Sequence, residues 1–315
     1  MNRIPKTDEI IAQLKPAFVE RYKNILGDRY DEFIQCSFSF LRRSLRVNTI
    51  KINVEECRKR LEENWKLRQI PWCKEGFWIE SERRDIGNTV EHALGYIYVQ
   101  EAASMVPPLV LDPKPGETVL DMAAAPGSKT SQMAAMMQNT GLLVANDIKP
   151  DRLKPLGLNM QRCGITNTVM TLGVGQRFRQ PIFDKILIDA PCSGTGNIRR
   201  SLKTVTIWNP TMITRLSRTQ LDLLQTAYNA LKPGGAVVYS TCSTEPQENE
   251  GVIDAFIKAN PSAEIDKIKL HGIKHSEAIT EFEGEKYDEQ VRHTIRLWPQ
   301  DNDTEGFFVS RIVKN

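Results

Sequence analysis

Apolar and polar positions along this chain follow two rhythms. Near the N-terminus Ile10, Ile11, Leu14, Phe18, Tyr22, Ile25 and Leu26 recur at steps of three and four, the stripe of an amphipathic helix. Pro16 falls inside the stripe as a kink and Gly27 follows it as a stop. Residues 45–52 alternate and predict a half-buried strand, and a charged helix follows over 55–63. The stretch 65–80, with Pro71, Gly76, Trp65, Trp72 and Trp78, reads as strands and turns. These elements predict a small α+β unit over residues 1–95. From 96 to 315 the texture changes. Short apolar runs at 118–122, 142–146, 168–172, 185–189, 236–240 and 307–313 alternate with helical stretches near 129–139, 150–162, 213–231 and 247–259. Such alternation predicts a parallel sheet covered on both faces. Ligands of these sheets bind beyond the carboxyl ends of the strands, so the chemistry is sought just after each run.

The first run leads into Asp121-Met122-Ala123-Ala124-Ala125-Pro126-Gly127-Ser128-Lys129-Thr130. Small residues let backbone approach a ligand closely, and the helix that starts here offers N–H groups to polar or anionic atoms. The spacing of a phosphate-gripping loop is absent. Asp147 ends the second run. An acid about 20 residues beyond a glycine-containing turn suits ribose hydroxyls, with helix capping as the alternative. Together the two features point to a nucleoside. The fourth run ends in Asp189-Ala190-Pro191-Cys192-Ser193-Gly194 and the fifth in Ser240-Thr241-Cys242-Ser243. One cysteine at a strand end is usually a structural residue. Two at equivalent ends of two strands can face one pocket.

Composition narrows the class. At about 150 residues per domain, 315 residues predict two domains. Hydrophobic residues make up 40% and charged ones 26%, which excludes disorder, collagen and a disulfide scaffold as overall classes. No apolar run reaches the length of a membrane span, and the first residues lack a secretory signal. Six cysteines without a CxxC pair fit neither a zinc module nor a disulfide framework and suit the reducing cytoplasm. His271 and His275 are four apart but lack a third ligand, so no metal is expected. The net charge of +3 says little, but Arg42, Arg43 and Arg46, and Arg199, Arg200 and Lys203, form clusters that can neutralise phosphates. Trp208 reads equally as a base-stacking residue or a core tryptophan. The charge-rich stretch 265–303 reads as a variable surface insertion touching RNA.

A thiolate in a nucleoside site suggests one chemistry. Cytosine C5 is a poor nucleophile. A thiolate added at C6 makes C5 enamine-like, so that it attacks an electrophilic methyl group. An acid must then neutralise the ring, and Asp189 suits that task if it carries a proton. Lys129 can orient Asp189 or the base.

The blocks LRVNTIKIN (45–53), YVQEAASM (98–105), DMAAAPGSKT (121–130), NDIKPDRL (146–153), DAPCSGTG (189–196), YSTCSTEPQENE (239–250) and EGFFVSRI (305–312) resemble those of the Sun/Nop-type RNA cytosine-C5 methyltransferases, in order and over nearly the whole chain. The resemblance implies a Rossmann-like methyltransferase domain with a mostly parallel seven-stranded sheet, preceded by a small RNA-recognition-like α+β domain. It implies S-adenosylmethionine as cofactor, Cys242 as nucleophile and Cys192 as the residue that assists release. The cofactor residues it implies are Ala123, Ala124, Ala125, Pro126, Gly127, Ser128 and Lys129, with Asp147, Arg152 and Asp189. Where the family carries an acid near the adenine, this chain reads Gly175-Gln176-Arg177, so Gln176 is expected to accept that hydrogen bond. The expected partner is RNA, guided by Arg42, Arg43, Arg46, Arg199 and Arg200. The compact layout and the APGSKT block favour tRNA. Ribosomal RNA, and a role as an assembly factor without turnover, are the alternatives.

Overall fold

The structure, a computed structural model, describes Ile11, residues 14–81 and residues 85–315. Ile10 of the N-terminal stripe lies outside these. Pro16 opens helix α1 (Pro16–Leu26) rather than kinking it, because the first helical position needs no N–H donor. With α2 (Tyr30–Ser37), α1 packs Phe18, Tyr22 and Phe33 against Ile198, Trp208 and Trp298. The helices therefore dock on the second domain rather than on the small sheet.

That sheet has the order β2-β3-β1-β4, from β1 (Ser44–Val47), β2 (Leu67–Gln69), β3 (Gly76–Ile79) and β4 (Ile97–Val99). β1 is shorter than its alternation predicts. Asn48 leaves the strand to donate to the carbonyls of Gly95 at 2.9 Å and Cys163 at 2.8 Å. β1 is also buried on both faces. Leu45 and Val47 join the small core under α3 (Val54–Glu62), and the opposite face meets the second domain. β4 pairs with β1, so the small sheet continues past residue 95.

The large sheet has eight strands, seven along the path β10-β14-β9-β8-β5-β6-β7 and β13 beside β14. They are β5 (Thr118–Asp121), β6 (Leu142–Asp147), β7 (Thr168–Leu172), β8 (Phe183–Asp189), β9 (Leu231–Thr241), β10 (Ala263–Asp266), β13 (Ile295–Leu297) and β14 (Phe307–Lys314). A short hairpin, β11 (Glu281–Phe282) with β12 (Glu285–Lys286), stands apart. Alternate residues feed opposite faces. Leu120, Ile186 and Val237 meet α7 (Pro210–Ala230) and α8 (Glu250–Ala259). Val119, Leu187 and Val238 meet α4 (Val106–Leu111) and α5 (Ser128–Met136). Helix α6 (Pro150–Cys163) follows β6.

Two expectations are corrected. The 307–313 run forms β14, which lies antiparallel to β9, β10 and β13. The short link from β13 cannot supply the crossover that a parallel pair requires. The stretch 265–303 is not only a surface insertion, because Val291, Ile295, Leu297 and Trp298 are buried core residues. Among the described residues no helix is long and apolar enough to cross a membrane.

Candidate active site

β8 and β9 pair in parallel with Asp189 opposite Ser240. That register sets the two following loops side by side, and the sulfurs of Cys192 and Cys242 lie 3.4 Å apart. Contact with Cys242, and then burial, pushes the Cys192 thiol well above its ordinary range. Cys192 thus keeps its proton beside the second sulfur. Glu248 fixes this arrangement. Its carboxylate accepts from Ser193 N at 2.9 Å, Gln220 Nε2 at 2.9 Å and Ser243 Oγ at 2.6 Å. It therefore grips the residue after each cysteine. Burial pushes this carboxyl up, against the pull of the serine and glutamine hydrogen bonds. Farther along the second loop, Glu245 accepts from Arg21 Nε and Trp208 Nε1, each at 2.7 Å. Trp208 is accordingly a core residue, with Phe18 edge-on at 5.3 Å, and not a base-stacking platform.

Lys129, in the first turn of α5, donates to Asp189 Oδ2 at 2.7 Å. Ser240 Oγ donates to the other oxygen at 3.2 Å. Burial disfavours charge on Lys129, but the carboxylate of Asp189 outweighs it and holds the ammonium above its ordinary value. The Lys129 ammonium is thus held charged against Asp189.

The neighbouring strand ends form a second, adjoining region. The 123–129 turn passes from half-buried Ala123 through buried Ala124 and Ala125 to exposed Pro126, and Ser128 is half-buried. Gly127 has φ +104°, and a Cβ there would meet Met160 Cε at 2.7 Å, so only glycine suits both the backbone and the packing on α6. Arg152 links this turn to β6. It donates to the Ala125 carbonyl and its Nη1 lies 3.3 Å from Asp147 Oδ2. That oxygen is buried yet makes no hydrogen bond. Asp121 Oδ1, at the end of β5, is likewise buried without a partner, and burial pushes the Asp121 carboxyl up to about 7. The orphaned oxygen of Asp121 and the Asp147 oxygen held only by an ion pair, around a turn of small residues, fit a nucleoside with a cationic amino-acid tail, which has hydroxyl and ammonium donors for both.

Gly175 is buried, and a Cβ there would meet Leu223 Cδ2 at 2.7 Å and Met122 Cγ at 2.9 Å. An acid has no room at this position, which leaves half-buried Gln176 beside it. Gly175→Asp is expected to lower stability by about 1–3 kcal/mol through overpacking and to weaken cofactor binding. A thermal melt and a binding titration check both effects. Tighter binding would show that the acid finds its place after all.

The basic clusters divide. Arg46 is 2% exposed. It bridges the domains, donating to Gln100 Oε1 and Ser131 Oγ at 2.8 Å each. The side chain of Arg199 is 1% exposed and pairs with Asp303 at 2.6 Å. Both are corrections: these guanidinium groups are enclosed by protein partners and no phosphate reaches them. Arg42 is also engaged by Asp303, at 2.6 Å, and lies over the Trp78 ring. Arg43 is half-buried. Arg200 is 70% exposed and is the arginine of this group most open to a backbone groove. His271 and His275 are both exposed.

Sequence reasoning assigned no role to Asp121, Glu248, Glu101 or Glu305. All four lie inside the blocks quoted above, Asp121 two residues before Ala123 and Glu248 six residues after Cys242. A cavity of about 1100 Å³, lined by Trp72, Leu109 and Gln138 among others, contains neither site cysteine.

The chain is similar to known methyltransferases. A family model described as 16S rRNA methyltransferase RsmB/F matches residues 108–313. One described as the N-terminal domain of 16S rRNA methyltransferase RsmF matches residues 14–102. A Pyrococcus abyssi protein named tRNA (cytosine(49)-C(5))-methyltransferase is 46% identical, with 97% of this chain and 98% of the relative aligned. Ribosomal RNA small subunit methyltransferase F of Pectobacterium carotovorum is 41% identical over 96% of this chain, which spans only 63% of that relative. A crystal structure of a methyltransferase homologue from Pyrococcus horikoshii superposes with a TM-score of 0.86 at 38% identity, covering 98% of each chain.

Proposed function

Because the chain belongs to the RsmB/F family of methyltransferases, we propose that it methylates C5 of a cytosine in RNA, with tRNA as the substrate. The observation that carries the reading is the pair of sulfurs 3.4 Å apart beside a hydrogen-bonded lysine–aspartate pair. S-adenosylmethionine supplies the electrophilic methyl group, and Asp147, Asp121 and the 123–129 turn are the groups that would hold it. Cys242, as thiolate, adds to cytosine C6. Cys192 holds its proton during that addition. It serves release afterwards, when the C5 proton leaves to water and the C6–S bond breaks. Lys129 and Asp189 orient the ring between them. The target base must leave its stack to reach the pair.

tRNA is favoured because the relative named for it is the more similar of the two, at 46% identity against 41%. The six free cysteines fit work in the reducing cytoplasm. The test is methylation of unmodified tRNA and of small-subunit ribosomal RNA in parallel, followed by bisulfite sequencing. The expected product is 5-methylcytosine in tRNA, with position 49 examined first. Arg200→Glu is expected to raise KM on the order of tenfold at low salt, with a smaller effect at high salt. Exclusive methylation of ribosomal RNA would overturn the substrate assignment, and 5-methylcytosine in neither RNA would overturn the activity.

A further inference from the structure

Charge is segregated along this chain. Residues 152–221 hold eleven cations against two carboxylates, a net +9 in a protein whose total is +3. Between Asp189 and Asp222 lie Arg199, Arg200, Lys203, Arg215 and Arg218 and no acid, and Arg177 and Arg179 precede Asp184 in a stretch equally free of acids. Arg199 is enclosed by its partners. The other six are exposed. Arg200 stands 3.9 Å from Glu305, a contact of little strength for an exposed side chain. Among the described residues Arg177, Arg179, Lys203, Arg215 and Arg218 make no ion pair. Exposed arginines elsewhere are matched locally: Arg58 lies 2.8 Å from Glu62, Arg60 3.8 Å from Glu56 and Arg292 3.0 Å from Glu289. Arg215 and Arg218, three apart on α7, repel each other instead, so the band does nothing to stabilise the fold.

The band adjoins the site. The short helix Lys203–Ile207 lies against the Cys192 loop, where a Cβ on Gly194 would stand 3.9 Å from Thr204 Oγ1. On α7, Gln220 turns inward and donates to the Pro191 carbonyl at 2.9 Å, while Arg215 and Arg218 turn outward to solvent. The link carrying Arg177 and Arg179 runs beside the same helix, since a Cβ on Gly175 would meet Leu223 Cδ2 at 2.7 Å. The outward face of α7 shows Thr211, Thr214 and Thr219 around the arginines and no exposed large hydrophobic residue. It therefore lacks the apolar anchor of a protein interface, and its charge complements phosphate. Resting on RNA as the partner of the site, we infer that Arg177, Arg179, Arg215 and Arg218, continuous with Arg200 and Lys203, form a track that grips the phosphate backbone flanking the target cytosine. A base that leaves its stack costs binding energy, and backbone contacts on this track offset it. The enclosed Arg46 and Arg199 cannot supply that grip.

The test variant combines Arg177→Gln, Arg179→Gln, Arg215→Gln and Arg218→Gln. A control variant with Lys114→Gln, Lys258→Gln, Lys286→Gln and Arg292→Gln loses the same charge at exposed positions away from the band. The probe is unmodified tRNA, in filter binding across a salt series and in methylation assays. The test variant is expected to bind it about 10–10²-fold more weakly at about 0.1 M salt, with the slope of log Kd against log salt shallower by about three. KM for RNA should rise in step, while kcat at saturating RNA and the affinity for S-adenosylmethionine stay as in the wild type. The control is expected to shift Kd by less than about threefold. Equal losses in both variants, an unchanged salt slope, or a fall in kcat without a rise in KM would overturn the track and leave the methyltransferase reading intact. Unchanged RNA affinity with lost retention of poly-glutamate would overturn it in favour of an acidic protein. The expected binding losses without 5-methylcytosine from the wild-type enzyme would support the track and overturn the activity.

Discussion

Cys242→Ala is expected to abolish methyl transfer, by a factor on the order of 10⁴ or more, whereas Cys192→Ala is expected to accumulate a covalent protein–RNA species. The asymmetry follows from the proton between the sulfurs. At 3.4 Å the sulfurs are in contact, and that contact, with burial, pushes the Cys192 thiol well above its ordinary range, so Cys192 is the sulfur that keeps its proton while its neighbour attacks. Removing Cys242 deletes the nucleophile. Removing Cys192 spares the addition and blocks the later step. Denaturing gels after incubation with S-adenosylmethionine and unmodified tRNA distinguish these outcomes. A retarded band for Cys192→Ala and none for Cys242→Ala is the expected pattern, and the reverse would exchange the two roles.

The second large effect lies behind the site. Arg296 and Glu250 form a fully buried ion pair, with Arg296 Nε donating to Glu250 Oε1 at 2.9 Å. Arg296 Nη1 also donates to the Thr244 carbonyl at 2.6 Å, two residues beyond the nucleophile. Arg296→Met leaves Glu250 charged and unpaired in the interior and should cost about 3–5 kcal/mol. At about 2–4 °C per kcal/mol that is a fall in Tm of about 10 °C. Adding Glu250→Met removes the stranded charge, and the double variant should recover most of the loss, short of the penalty for an unpaired Thr244 carbonyl. Additive losses in the thermal melts would mean that the two side chains are not coupled in this way.

The strand ends were legible because their chemistry sits in short contiguous blocks: a turn of small residues, an acid after a run, and a cysteine after each of two runs. Arg46 was not. Alternation around Leu45 and Val47 correctly turns Arg46 away from the small core, but only the tertiary structure shows that Gln100 and Ser131 receive it there. Arg199 was misread for a similar reason, since Asp303 lies about a hundred residues farther along. β13 was hidden by the charge of Arg296, whose partner Glu250 belongs to helix α8. The raised Glu305 carboxyl was equally invisible, because burial and Glu101 produce it and neither can be read from EGFF alone. Local pattern located the site. The partners that neutralise or perturb each charge are long-range.

β14 lies between β9 and β10 in the sheet, although it follows both along the chain. A chain that folds as it is synthesised therefore leaves β10 without its hydrogen-bonding neighbour until the strand that comes later inserts beside it. Glu305 and Gly306 arrive with that strand, and Gly306 reaches Gly196 only then. Assembly of the pocket is thus a late event that depends on contacts distant in sequence. A nascent chain that already carries both cysteines still lacks the segment that Gly306 ties against Gly196 beside them.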